Sequence, residues 1–329
     1  MANILVTGGA GYVGSACCLE LLADHSVTVV DNLSTGFRHN VPPAAKFIQA
    51  DIGDRTAMES LLRSHQFDVV FHFAAKALVA ESAANPGLYF QENVASGIVL
   101  LEALRGANIK KFVFSSSAAV YGTPTRVPIR EDDHKKPVNP YGETKLIFEN
   151  ILQWYAQCYG WSVVAFRYFN AAGATSDLGE QHDPETHLIP LVLQAVAGER
   201  EFVNIYGTDY ETPDGTCLRD YVHVLDIARA HISALPKLGP PGMRSYNIGT
   251  GTAYSVRQVC DSVEKVVGRP VPVRLAPRRP GDPGTLHADP RRIKEELGWV
   301  PRDSSLEGII SSAWQWRQRH PARPAAISS

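Results

Sequence analysis

The sequence predicts an α/β protein, a doubly wound parallel sheet followed by a smaller C-terminal domain. Two observations carry that prediction. Short apolar, β-branched runs alternate with helical patterns through the first half of the chain, and beyond Tyr168 loops lengthen and Pro and Gly become frequent, as at 236–242 and 270–283. Strand, helix, strand in repetition requires parallel pairing with helices on both faces.

Strands are expected at 4–7, 27–31, 47–51, 69–73, 112–116 and 163–168, with helices at 13–23, 88–104 and 141–159. The unbroken apolar run Val69-Val70-Phe71 fits a strand covered on both sides. The expected division is 1–168 and 169–329, with segments around 217–248 packing back on the first domain. Such a sheet binds its ligand at the carboxyl ends of its strands. Residues 321–329 read as a loose tail.

The chain of 329 residues can bury a substantial core, and 44% hydrophobic with 20% charged residues is an ordinary globular balance. Lys and Arg number 32 against 34 Asp and Glu, which argues against nucleic acid or an anionic membrane as partner. No run has the length of a membrane span, and the first residues lack the pattern of a secretory signal. The five cysteines show no CxxC spacing, so reduced thiols in a cytoplasm are expected rather than disulfides or a zinc frame. His182 and His187 stand five apart in a polar loop without further candidate ligands, and no metal is expected.

The first strand runs into Thr7-Gly8-Gly9-Ala10-Gly11-Tyr12-Val13-Gly14. Gly8, Gly11 and Gly14 are spaced GxxGxxG, a variant of the dinucleotide fingerprint. The glycines permit a tight turn and close approach of a pyrophosphate, and the helix opening at Tyr12 and Val13 offers free N–H groups. Asp31, at the end of strand two, stands where a carboxylate would hold the adenosine ribose. It would repel a 2′-phosphate, which favours NAD over NADP. Asp51-Ile52 closes strand three near the expected adenine edge, and Asn93 lies on the helix after strand four. A turn-capping role for Asp31 is the plainer alternative.

Tyr141-Gly142-Glu143-Thr144-Lys145 places a tyrosine and a lysine on one helix face. An ammonium beside a phenol is expected to lower its pKa toward neutrality and make it a general base. Strand five ends in Ser115-Ser116-Ser117, whose hydroxyls could relay a proton. Glycine loop, ribose acid, serine and YxxxK in that order resemble the extended short-chain dehydrogenase/reductases, which are Rossmann-like, and within them the UDP-glucose 4-epimerase family. The resemblance runs from Gly8 to about Trp299. It includes Asp31-Asn32-Leu33-Ser34-Thr35-Gly36, Phe71-His72-Phe73-Ala74-Ala75, Asn139-Pro140-Tyr141-Gly142, Arg167-Tyr168-Phe169-Asn170, the stretch from Gly215 to His223, and Arg278-Arg279-Pro280-Gly281-Asp282.

The resemblance implies Ser117, Tyr141 and Lys145 as catalytic residues, working on a UDP-sugar with a tightly held NAD that is reduced and reoxidised in each turnover. For the cofactor it implies the glycine loop, Asp31, Asn32, Ser34, Thr35, Gly36, Asp51, Ile52, Phe73, Ala74, Ala75, Asn93, Ser115 and Tyr168. Lys76 joins them although the register through Glu81-Ser82 points instead to Ala77. For the substrate it implies Asn170, His187, the Leu188 N–H, Asn204 and Tyr206 at the uracil, Arg219 and Arg279 at the diphosphate, Tyr221, Val256, Asp282 at the uridine ribose and Leu286 at the pocket wall. Ion pairing of Arg219 with Asp220 or Asp226 is the alternative for that residue. His72 reads as a core histidine.

Related dehydratases and decarboxylases carry acids before Val-Tyr-Gly, where this chain has Ala118 and Ala119, so dehydration has no acid to perform it. A net oxidoreductase would not need the UDP set, and an NAD-sensing regulator would be expected to lack Tyr141 or Lys145. UDP-N-acetylhexosamines and UDP-pentoses remain open as substrates beside the hexoses. A homodimer is also expected. Ile147, Phe148, Ile151, Leu152, Trp154, Tyr155, Cys158 and Tyr159 cover about 160° of their helix, more than packing on one core uses.

Overall fold

The structure is a computed structural model that describes residues 1–279 and 282–320. The expected tail at 321–329 and the Pro280-Gly281 pair of the quoted motif lie outside the described residues. Strands β1 (Asn3–Thr7), β2 (Ser26–Asp31), β3 (Lys46–Gln49), β4 (Val69–His72), β5 (Lys111–Ser117) and β6 (Ser162–Tyr168) are followed by β7 (Asn170–Ala172), β8 (Val203–Tyr206) and β9 (Leu218–His223). The remaining strands are β10 (Gly242–Ile248), β11 (Ala253–Ser255), β12 (Val273–Ala276) and β13 (Thr285–Leu286). The main sheet runs β10-β6-β5-β4-β1-β2-β3, and each of its pairings is parallel.

Alternation along these strands sends successive side chains to opposite faces. Ile4 and Val6 pack on one face with Val29, Phe71 and Ile227, while Leu5 packs on the other with Met58, Leu101 and Phe148. Both faces are therefore apolar, and the strands read as continuous hydrophobic runs.

Two strands stop earlier than their apolar runs. β3 ends at Gln49 because Ala50 N–H bonds the Asp31 carbonyl (3.2 Å) and the Asp51 carboxylate turns back onto Gly53 N–H (2.7 Å). β4 ends at His72 because Phe73 and Ala74 both donate to the Thr7 carbonyl, crossing the end of β1. The helix expected at 88–104 is interrupted. Pro86–Phe90 and Ser96–Gly106 are joined by a wide π turn at Gln91–Ala95, the kind of distortion that re-aims a side chain, here Asn93.

The chain returns to the main sheet after the change of pattern at 168. β10 pairs along its length with β6, and the helix Val224–Ser233 packs on the helix Tyr12–Leu21, where Arg229 Nε bonds Glu20 at 3.1 Å. The rest of the second half builds its own core from Leu193, Val259, Val263 and Ile309, beside a small sheet in which β9 is flanked by β11, β13 and β7. Among the described residues no helix is long and apolar enough to cross a membrane.

Candidate active site

The carboxyl ends of β1, β2, β4 and β5 lie on one edge of the sheet, because the pairings are parallel. Gly8, just past β1, has φ +75°, and a Cβ there would stand 2.3 Å from the Ala74 nitrogen. A Cβ on Gly14 would stand 2.2 Å from the Gly8 carbonyl oxygen. Only glycine closes this turn. The helix Tyr12–Leu21 has no side-chain cap at Gly11 and no acid in its first turn, so its leading N–H groups are free for an anion.

A cleft opens beside this loop, lined by Gly8, Gly11, Asp31, Asn32, Ser34, Thr35, Gly36, Asp51, Ile52 and the Phe73–Lys76 stretch. Ala50 and Glu92 also line it, and motif reading had not singled them out. Asp31 is buried and its two oxygens accept the Ala10 N–H (3.0 Å) and the Leu33 N–H (2.8 Å). The turn-capping role is thus filled, and each oxygen still keeps a free lone pair. A bare, amide-lined turn, a buried acid one strand away and a long cleft between them fit a dinucleotide.

Asn93 links the Lys76 segment to Thr144. Its amide brackets the Lys76 main chain (2.8 and 3.0 Å) and donates to Thr144 Oγ1 at 3.0 Å. It ties the Lys76 segment to the helix Pro140–Tyr159. Thr144 is a site-forming residue that the sequence reading passed over, because it is one polar position inside YxxxK.

That helix begins with Asn139 capping Gly142 (2.8 Å) and Pro140 at its first position. Tyr141 and Lys145 are buried on it. Lys145 Nζ donates to the Ser115 carbonyl at 2.8 Å and lies 5.9 Å from the Tyr141 ring centre. The Ser117 oxygen accepts Ala119 N–H at 3.1 Å, and its hydroxyl stands close enough to the Tyr141 phenol to pull that group's pKa down. Ser115 Oγ pairs with the Tyr168 hydroxyl at 2.7 Å.

The expected lowering of the Tyr141 pKa is not what this arrangement gives. Burial pushes the phenol up, and the Ser117 hydroxyl only partly offsets it. Burial also lowers Lys145 to about 7, against the upward pull of Glu149. Desolvation dominates because both groups sit in a dry pocket. His72 is a core histidine. It pairs with Thr7 Oγ1 at 2.7 Å among Phe112, Phe114 and Phe148, and burial takes it down to about 3.

The second half supplies the far set. Leu188 opens the helix Leu188–Val196, which has no side-chain cap and no acid in its first turn. Asn204 and Tyr206 share a face of β8, and Arg279 lies 3.9 Å over the Tyr206 ring. Arg219 is ion-paired with neither Asp220 nor Asp226. It pairs with Asp282, and its NH1 donates to the Leu218 carbonyl at 2.8 Å. The two residues therefore stand together. Asp220 is instead buried, gathering N–H groups of Thr250, Gly251 and Ala288. Asn170 donates to the Asp220 carbonyl at 2.9 Å, Tyr221 is buried in the second core, and the Val256 N–H is engaged by Cys217. Leu286 pairs in register with Arg219 and packs, half-buried, on the cluster of Phe169, Tyr121 and Ala288, which Ala118 also joins just past the end of β5.

His182 and His187 do not stand alone, contrary to the sequence reading. The same loop folds Glu180 and Glu185 against them, so that donor atoms of all four lie within 4.8 Å of one another. His187 is thereby held by two carboxylates.

The sequence pattern of the NAD dependent epimerase/dehydratase family matches residues 4–249. A UDP-glucose 4-epimerase of Streptococcus mutans is 47% identical over 325 residues, 97% of each chain. The crystal structure of UDP-glucose 4-epimerase from Brucella ovis in complex with NAD superposes with a TM-score of 0.92 at 45% identity, covering 95% of this chain and 98% of that one. The Bifidobacterium longum enzyme, in complex with NAD+ and UDP, has a TM-score of 0.92 at 37% identity, covering 97% and 99%.

Proposed function

The chain belongs to the NAD dependent epimerase/dehydratase family, and from that premise we propose reversible inversion at C4 between UDP-glucose and UDP-galactose, through a 4-keto sugar. The observation that carries this reading is Tyr141, buried between Ser117 and Lys145 at the same sheet edge as the glycine loop. When bound, NAD supplies the acceptor and donor of the C4 hydride and a positive ring that favours the phenolate. Gly8, Gly11 and the first turn at Tyr12 and Val13 would hold its pyrophosphate, and Asp31 a ribose.

In this reading Tyr141 removes the proton of the sugar 4-hydroxyl, with Ser117 as the hydrogen-bonded relay. Lys145 steadies the phenolate through charge. The same phenol returns the proton after the sugar has turned its other face. Arg219, Arg279 and Asp282 anchor the UDP group while this happens, and a fixed diphosphate with a mobile sugar is what inversion requires. Arginine suits that clamp because its guanidinium reaches two phosphate oxygens at once.

Inversion without net redox predicts that the purified protein carries its cofactor. Denaturation should release NAD(H), and a coupled assay should convert UDP-galactose to UDP-glucose with none added. Protein free of cofactor and inert toward both sugars would end the reading.

The working form in this proposal is a cytoplasmic homodimer. Trp154 is 64% exposed, and with Ile147, Ile151 and Cys158 it makes a stripe along one helix face. Support for a reducing compartment comes from five free cysteines, Cys158 alone exposed.

A further inference from the structure

We propose that Glu180, His182, Glu185 and His187 form a structural zinc site that pins the loop entering the helix Leu188–Val196. The inference goes beyond the epimerase reading and does not depend on it.

The four side chains converge, with one donor atom from each within 4.8 Å of the others. His187 Nδ1 lies 2.9 Å from an oxygen of Glu180 and 2.9 Å from an oxygen of Glu185. His182 Nδ1 lies 3.5 and 3.4 Å from oxygens of the same two carboxylates. Zinc bonds to imidazole nitrogen and carboxylate oxygen of about 2.0–2.1 Å put tetrahedral ligand atoms about 3.3 Å apart, within the span of these four distances. Both imidazoles present the same nitrogen, Nδ1, to the carboxylates.

Charge points the same way. The Glu180 and Glu185 side chains are each 8% exposed, and among the described residues neither is ion-paired with a lysine or arginine. Two nearly dry carboxylates need two positive charges close by. A divalent cation supplies both at one point and leaves the imidazoles neutral, as ligands must be. Two nitrogens and two oxygens suit zinc better than magnesium or calcium, which take six or more oxygens.

Four protein donors fill a tetrahedron and leave no open position, so the role is structural. The site closes a loop whose last member, His187, directly precedes Leu188. The free N–H groups of that helix start are thereby fixed in place.

Tag-free protein from zinc-containing medium is expected to carry one zinc per chain by elemental analysis. After removal of zinc, one equivalent of Co2+ should give the intense visible d–d bands of a four-coordinate ion, without the near-ultraviolet band of a thiolate ligand. His182→Ala and Glu185→Gln should lose those bands. In competition with a chelator they should weaken zinc binding by more than the 10–100-fold that even an outer-sphere partner costs. A folded wild type with neither stoichiometric zinc nor cobalt bands would overturn the proposal and leave an ion-pair cluster. Zinc that survives both substitutions but leaves with Cys158→Ser would overturn it equally, and since wild type alone answers the first question, a misfolded variant cannot hide the result.

Discussion

Glu149 and Arg167 form a two-pronged ion pair with both side chains almost out of water, Nε to Oε1 at 2.9 Å and NH2 to Oε2 at 2.6 Å. Glu149 lies one turn beyond Lys145, and its Oε1 also accepts from Ser116 Oγ at 2.6 Å. Arg167 reaches on to the Tyr121 hydroxyl (2.8 Å) and the Glu131 carbonyl (2.9 Å). The pair thus bolts the helix carrying Tyr141 and Lys145 to β5 and β6. Burial of this kind costs desolvation, and the reward is a fixed geometry.

Removing one partner leaves the other charge buried and alone. Arg167→Met is expected to destabilise the fold by about 3–5 kcal/mol, read from urea unfolding. Pairing it with Glu149→Leu should recover much of that loss, because the stranded charge goes too. Equal stability of Arg167→Met and wild type would show that the pair contributes nothing.

Tyr141→Phe tests the chemistry rather than the frame. It deletes one hydroxyl beside Ser117, so fold and bound NAD should persist while turnover falls about 10²–10⁴-fold. Activity near wild type would remove Tyr141 from the proton-transfer role.

Much of this could be read from residue order. The doubly buried strands announce themselves as apolar runs, and the glycine loop and YxxxK sit where strand ends and helix starts were expected. What escaped are relations between distant positions. Glu149 meets Arg167 only because β5 and β6 align Ser116 with Arg167. The wide turn at Gln91–Ala95 has no periodic signature, yet it aims Asn93 at Thr144. Glu180 and Glu185 look like ordinary loop acids until the loop folds them onto two histidines. The pKa of Tyr141 also misled, since neighbours can be named from sequence but desolvation cannot.

His231 predicts an acid-sensitive core. It is buried against Phe73 and Phe166, donates Nδ1–H to the Ile227 carbonyl at 2.8 Å, and among the described residues its Nε2 has no partner. Burial lowers it to about 4. The unfolded chain, with a histidine near 6.5, binds that proton first, so stability is lost as pH falls from about 6.5 toward 4. His231→Phe should therefore unfold less readily at pH 5 than wild type, by about 2 kcal/mol relative to the difference at pH 7. The same pH dependence in both proteins would sink this assignment.

Trp154 tests the dimer. An aromatic side chain this exposed, in line with half-buried Ile147 and Ile151, is the anchor expected of a helix-to-helix contact. Light scattering at micromolar protein should give about twice the 35.9 kDa chain mass. Trp154→Glu should shift it toward one. A wild type that runs as a single chain refutes the dimer outright.

Leu286 tests the width of the proposed sugar pocket. It is half-buried on β13, in register with Arg219, and packs on the cluster of Phe169, Tyr121 and Ala288. A leucine on that wall occupies less room than a tyrosine and brings no hydroxyl that needs a partner. UDP-glucose and UDP-galactose are therefore the expected main substrates, with measurable turnover of UDP-N-acetylglucosamine. Leu286→Tyr adds bulk that only the sugar with a 2-N-acetyl group should meet, so it should reduce that activity far more than the hexose activity. A side chain that serves only the core would behave differently, since overpacking would lower both activities together along with thermal stability. Parallel kinetics on both sugars, with a melting curve for each protein, separate the two cases. Equal loss on both substrates, or a wild type inert toward the N-acetyl sugar, would show that Leu286 does not set the width of the pocket.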